Sequence, residues 1–119
     1  MGVAVAFVVH PELRFSPSKR PAEQMLAEAG LLAEAIGLEI GHAEIISLSK
    51  VRARSFFGKG VTTRLGELAS ECYDPVVIVN TALSPVQQRN LEMAIGAKVI
   101  DRTQLILEIF GARAQTHAG

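Results

Sequence analysis

The residues of this chain that could do chemistry gather at a glycine turn and in the basic block around it. Ser55 to Gly60 reads S-F-F-G-K-G and runs into Val61-Thr62-Thr63. Glycines at a helix entrance leave backbone N–H groups free at the positive end of a helix dipole, a generic anion site. The spacing falls short of G-x-x-x-x-G-K-[ST], whose backbone amides cradle nucleotide phosphates and whose lysine follows the second glycine. Here Lys59 precedes it. A tight turn before a helix explains the same residues without a ligand. The surrounding charge weighs toward phosphate. From Lys50 to Gly66 stand five bases, Lys50, Arg52, Arg54, Lys59 and Arg64, and no acid. Pro21 to Ser49 carries five acids and neither Lys nor Arg. Lys50, Arg52, Arg54, Gly58, Lys59, Gly60 and Arg64 are therefore the candidates for contact with RNA phosphate or another anion.

Other chemistry finds little support. His10, His42 and His117 lack metal-ligand spacing and have no cysteine cluster to join. No Ser-His-Asp set or nucleophile elbow is present. Cys72 is the single cysteine, which rules out an internal disulfide and fits a reducing compartment. On its apolar helical stripe it reads as core. The expectation is a chain that is not an enzyme and holds neither metal nor cofactor. A formal net charge of zero removes a bulk basic footprint, so any nucleic-acid contact must be local. With 119 residues, 49% of them hydrophobic, the chain suits one domain over residues 1–119 with a sizeable core. The apolar start Gly2–Val9 is too short for a membrane span and lacks a basic flank, so a cytoplasmic protein without a membrane partner is expected.

The elements that must position these residues follow from periodicity and caps. Val3–Val9 is a continuous β-branched run, expected to be a strand buried on both faces and ended by His10-Pro11. Pro21 suits the first position of a helix whose stripe is Met25, Ala29, Leu32 and Ile36, closed by Gly37 in a left-handed cap. Leu38–Leu48 reads as the second strand. Lys50–Gly60 reads as a loop whose turn needs its two glycines for backbone freedom. Thr62 or Thr63 is expected to cap a second helix with Leu65, Leu68, Ala69 and Cys72 on one face. Tyr73-Asp74-Pro75 turns into the strand Val76–Val79. Ser84-Pro85-Val86-Gln87 is a capping box with proline at the first helical position, and Gly96 ends that helix. Lys98–Ile100 is the fourth strand. Asp101 caps a last helix over 102–114, with Gln104 at the capping-box position, Leu105, Ile106, Ile109 and Phe110 as its stripe, and Leu107 off it.

This alternation predicts an α/β fold, a four-stranded mostly parallel sheet with helices on both faces. Ligands of such sheets sit beyond the carboxyl ends of the strands. His10, the Lys50–Gly60 loop, Asn80-Thr81 and Asp101-Arg102 are expected there. Gln87, Gln88, Arg89 and Asn90 form a polar helix face.

Ser84, Pro85, Gln87, Gln88, Arg89, Asn90, Leu91 and Glu92, followed by Val99-Ile100-Asp101-Arg102-Thr103, carry a family resemblance. Phe56–Gly60, Val8-Val9-His10-Pro11 and His42-Ala43-Glu44 extend it over nearly the whole chain. Together they resemble the N-terminal domain of the HflX-type ribosome-associated GTPases. The resemblance implies a non-catalytic accessory domain that contacts the large ribosomal subunit and modulates a GTPase domain in cis or trans. GTP and magnesium would belong to that GTPase domain, which this sequence lacks. It also implies a contact or interdomain face from Gln87, Gln88, Arg89, Asn90, Arg102, Leu105, Ile109, Phe110 and Arg113. The sequence departs from the family pattern at Val61, at Asn80-Thr81-Ala82, at Gln104 and across Arg113–Gly119. Two other functions compete. One is a stand-alone nucleotide-binding domain, for ATP, that uses the glycine turn. The other is a regulatory module that pairs with protein, or weakly with itself, through the last helix.

Overall fold

In the computed structural model the structure describes residues 4–15 and 19–118, with side chains as far as Gly111. The first apolar run forms β1 (Val5–Leu13), followed by α1 (Ala22–Ala35), β2 (Glu39–Leu48), α2 (Lys59–Ala69), β3 (Pro75–Val79), α3 (Pro85–Ile95), β4 (Lys98–Asp101) and α4 (Arg102–Ala118). The four strands make one sheet in the order β2-β1-β3-β4, and every pairing is parallel.

Alternation along the strands divides the core in two. Phe7, Val9, Val77, Val79 and Val99 face α2 and α3, meeting Leu65, Ala69, Leu91 and Ile95. Ala6, Val8, Ile78 and Ile100 face α1 and α4, meeting Ala29, Ala33 and Leu105. Both faces are covered, which is why the strands are apolar at consecutive positions instead of alternating with polar residues. Gly37 and Gly96 close α1 and α3 with φ of +86° and +80°, as their positions after the helical stripes predict.

Several local expectations are corrected, among them the place of Cys72, which lies beyond the end of α2 and is half-buried. His10-Pro11 does not end β1, which continues to Leu13 against β2. Val9 turns its carbonyl toward the β3 side, where it accepts from the Asn80 N–H at 2.9 Å. Pro11, two residues on, turns its hydrogenless nitrogen to that same side, where β3 has already ended, so no ladder bond is lost. Val3, the expected start of this strand, lies outside the described residues.

Pro21 is the N-cap of α1, one position before its expected place. The glycine turn is built differently as well. Gly58 is extended (φ −75°, ψ 168°) and is itself the N-cap of α2, so neither Thr62 nor Thr63 is. Gly60 lies inside the helix. The left-handed residue of the segment is Phe56, at φ +62°. Paired backbone bonds between Arg52 and Phe56, each 3.0 Å, and the edge-on packing of buried Phe56 on Phe57 at 4.9 Å over-determine that conformation.

The backbone of α4 runs to Ala118, beyond the expected end at 114. Of its expected stripe only Leu105 is fully buried; Ile109 is half-buried, while Ile106 and Phe110 join Leu107 at the surface.

Candidate functional site

The capping boxes that begin α3 and α4 also place the loops at the carboxyl end of the sheet. Ser84 Oγ accepts from the Gln87 N–H at 3.1 Å, and Gln87 Oε1 accepts from the Ser84 N–H at 3.0 Å. Asp101 Oδ1 accepts from the Gln104 N–H at 2.9 Å, and its Oδ2 accepts from the Leu83 N–H at 3.0 Å. One aspartate therefore caps α4 and anchors the β3–α3 loop.

The polar face expected on α3 is mostly turned to internal use. Gln87 Nε2 donates to the Arg52 carbonyl at 3.0 Å, and Asn90 Nδ2 donates to the Arg54 carbonyl at 2.8 Å. These two amides clamp the basic loop by its backbone and leave its cationic side chains outward. Gln88 Nε2 donates to the Val99 carbonyl and to Gln104 Oε1, both at 2.7 Å, which ties α3 to β4 and α4. Arg89 is different: it shares a groove of about 320 Å³ with Arg54, Pro85 and Val86. The Arg52 guanidinium lies against Gly58, with Nε 3.3 Å from where a Cβ would stand. Gly58 thus gives room, and the freedom of positive φ is not used.

The five expected cations do not act alike. Arg64 is engaged, donating from Nη1 to Glu44 Oε1 at 2.6 Å and from Nη2 to Glu44 Oε2 at 2.9 Å. His42 Nε2 lies 2.8 Å from the same Oε1. Burial opposes ionisation of Glu44, but the bonds from Arg64 and His42 prevail and hold its carboxyl below the usual range. The Glu44 bond, working against a smaller desolvation penalty, raises the Arg64 guanidinium in turn. Lys50, Arg52, Arg54 and Lys59 form no ion pair among the described residues. Leu105 is core and cannot serve as a contact residue; the side chain of Arg113 lies outside the described residues.

A second feature opens between the carboxyl ends of β1 and β3, a cavity of about 360 Å³. It brings His10, Asn80, Thr81 and Arg102 together, as their strand-end positions predict. Asn80 Nδ2 donates to the Met25 carbonyl at 3.2 Å and lies 3.0 Å from His10 Nδ1. The carbonyl can only accept, so the amide nitrogen of Asn80 faces both partners and His10 Nδ1 must accept. Neutral His10 therefore carries its proton on Nε2. Burial depresses the His10 pKa and Arg102 pushes the same way, partly offset by Glu12. The apolar wall of this cavity, which includes Leu13, Met25 and Phe56, was not foreseen. Those residues come from a strand end, a helix and a loop, and no local pattern unites them.

Among the described residues no cluster of three or more His, Cys, Asp or Glu could hold a metal ion, and no helix is long and apolar enough to cross a membrane.

The chain is similar to known proteins over most of its length. The family model described as GTP-binding GTPase N-terminal matches residues 23–111. The chain is 44% identical over 97 residues to GTPase HflX of Magnetococcus marinus, covering 82% of this chain and 22% of that protein. To GTPase HflX of Escherichia coli it is 38% identical over 94 residues, covering 79% and 22%. The chain thus spans about a fifth of the length of these relatives. A crystal structure of an SsGBP variant superposes with a TM-score of 0.59 at 18% identity, over 87% of this chain and 32% of that one. That likeness is one of fold.

Proposed function

Since this chain belongs to the GTP-binding GTPase N-terminal family of HflX proteins, we propose that it is a non-catalytic accessory domain that contacts the large ribosomal subunit. In this reading it works in the cytoplasm and modulates a GTPase domain in cis or trans. GTP and magnesium are the business of that GTPase domain, because this sequence has no phosphate loop with a following lysine to hold them.

The observation that carries the reading is the way the basic loop is held. Gln87 and Asn90 fasten its carbonyls, and the Arg52–Phe56 bridge closes it. Ribosomal RNA offers a dense field of phosphates, and contacts to them need cations in place without base recognition. A loop whose backbone is ordered beforehand loses less entropy on docking than a free one. Lys50, Arg52, Arg54 and Lys59 supply the charge, and Arg89 adds to it across the groove it shares with Arg54.

Cosedimentation with large ribosomal subunits over a salt series tests this. Three to five phosphate contacts give a log–log slope on the order of −2 to −4. Replacing Arg52, Arg54 and Lys59 together by Gln should flatten it, whereas Arg64→Gln should not, since Arg64 is engaged by Glu44. Equal slopes for wild type and triple variant would overturn the reading.

A second reading, pairing with protein through α4, draws on the exposure of Leu107 and Phe110, 61% and 60%. They stand three residues apart on one side of the helix. Sedimentation equilibrium of wild type beside a Leu107→Ser, Phe110→Ser variant decides it: self-association lost in the variant supports pairing, and a monomeric wild type removes the homo-oligomer.

A further inference from the structure

The cavity between β1 and β3 has a chemistry that the basic loop lacks. It sits where the chain diverges from the sheet. From β1 the chain crosses to β2 over one face through α1, and from β3 it crosses to β4 over the other face through α3. Divergence of this kind leaves a crevice at the strand ends, the usual ligand position in open parallel sheets. Its volume, about 360 Å³, lies at the small end of the range of about 300–1,000 Å³ for ligand sites.

We propose that this cavity is a binding site for a small monocarboxylate with an apolar body. His10 is 5% exposed, lines the cavity, and has its Nδ1 occupied by Asn80. The remaining ring atom, the Nε2–H donor, has no partner among the described residues. No fully buried side-chain nitrogen or oxygen among the described residues lacks a partner, so this donor keeps some exposure at the cavity, where an acceptor seated there would take its hydrogen bond. Arg102, on the same wall, forms no ion pair among the described residues and offers a planar guanidinium to a carboxylate. Leu13, Met25, Leu48, Val51 and Phe56 supply an apolar surface for a hydrocarbon body.

Charge sets the selectivity. One guanidinium balances one negative charge, and Glu12 on the cavity wall repels any further ones. A triphosphate is therefore disfavoured here, and none of Gly58, Lys59 and Gly60 lines the cavity. The site is separate from the glycine turn and from the cations assigned to RNA.

The test is a two-dimensional amide NMR titration of the whole chain with 4-methylpentanoate, beside its uncharged amide, ATP and inorganic phosphate. The carboxylate should give saturable shifts at Glu12, Asn80, Thr81 and Arg102, with a Kd on the order of mM for a ligand of that size. The amide should bind about tenfold more weakly or worse, as should the carboxylate to Arg102→Gln, whose exposed side chain makes no fold-holding bond; tenfold is the effect of one modest charge contact. His10→Asn removes the Nε2 donor and should weaken binding in the same sense. Absence of saturation, equal affinity for acid and amide, an undiminished Arg102→Gln, or shifts centred on Gly58–Gly60 would each overturn the proposal. So would tighter binding of ATP or phosphate at the cavity residues. None of these readouts depends on ribosome binding, so this proposal and the docking role stand or fall separately.

Discussion

Gln87 holds two structures together with one side chain: its Oε1 closes the cap of α3 on the Ser84 N–H, while its Nε2 reaches the Arg52 carbonyl at 3.0 Å. The geometry of the basic loop is thereby tied to the start of a helix distant from it in sequence. Gln87→Glu keeps the acceptor that the cap needs and loses the donor that the loop needs. The variant should lose about 1 kcal/mol of stability, with faster amide exchange at Arg52 and Phe56. Unchanged exchange there would mean that the bridge and Asn90 suffice.

The two glycines at either end of α2 should respond oppositely to alanine. A Cβ at Gly60 meets nothing within 4 Å, and its φ is not positive. Gly60→Ala should stabilise by about 0.4–1 kcal/mol through the unfolded state. At Gly66 the same methyl would stand 3.0 Å from the Ile95 carbonyl oxygen, where α2 passes α3. Gly66→Ala should destabilise by about 1–3 kcal/mol. Urea melts of both variants check the pair, and a loss at Gly60 would restore the turn its need for glycine.

Acid should weaken the fold through His10. Its folded pKa lies below the ordinary value, so the unfolded chain takes up the proton first as pH falls below about 6.5. Stability from this group is complete above that pH and declines below it, by less than about 1.4 kcal/mol per pH unit. Imidazole nitrogen shifts should report the Nε2–H tautomer at neutral pH, and His10→Gln should flatten the slope of stability between roughly pH 6.5 and 5. A His10 that titrates at or above the ordinary value would refute burial as the control of its protonation.

Within α4, side chains two positions apart should differ sharply. Leu105 is 0% exposed and packs against Ile78 and Ile100, so Leu105→Ala should cost about 2–5 kcal/mol. Leu107 is exposed, and Leu107→Ser should change stability by no more than about 0.5 kcal/mol. Thermal melts of the two single variants settle whether the exposed side of α4 takes any part in the fold.

What the amino-acid order determined by itself is local. The β-branched run Val76–Val79 could only be a buried strand, and Ser84 with Gln87 and Asp101 with Gln104 mark helix starts because cap bonds join residues three apart. Strand-end positions were legible too, and His10, Asn80 and Arg102 do meet at one cavity. Tertiary structure alone decided which charged and polar side chains remain free. Arg64 meets Glu44, Gln87 meets Arg52 and Asn90 meets Arg54 across 20, 35 and 36 residues of chain. Phe56 accepts a left-handed backbone because its ring is buried beside Phe57. Such pairings depend on strand order and on which face each helix covers. A cap or an apolar period is settled within a few residues, but a side chain's distant partner exists only once the sheet has placed it.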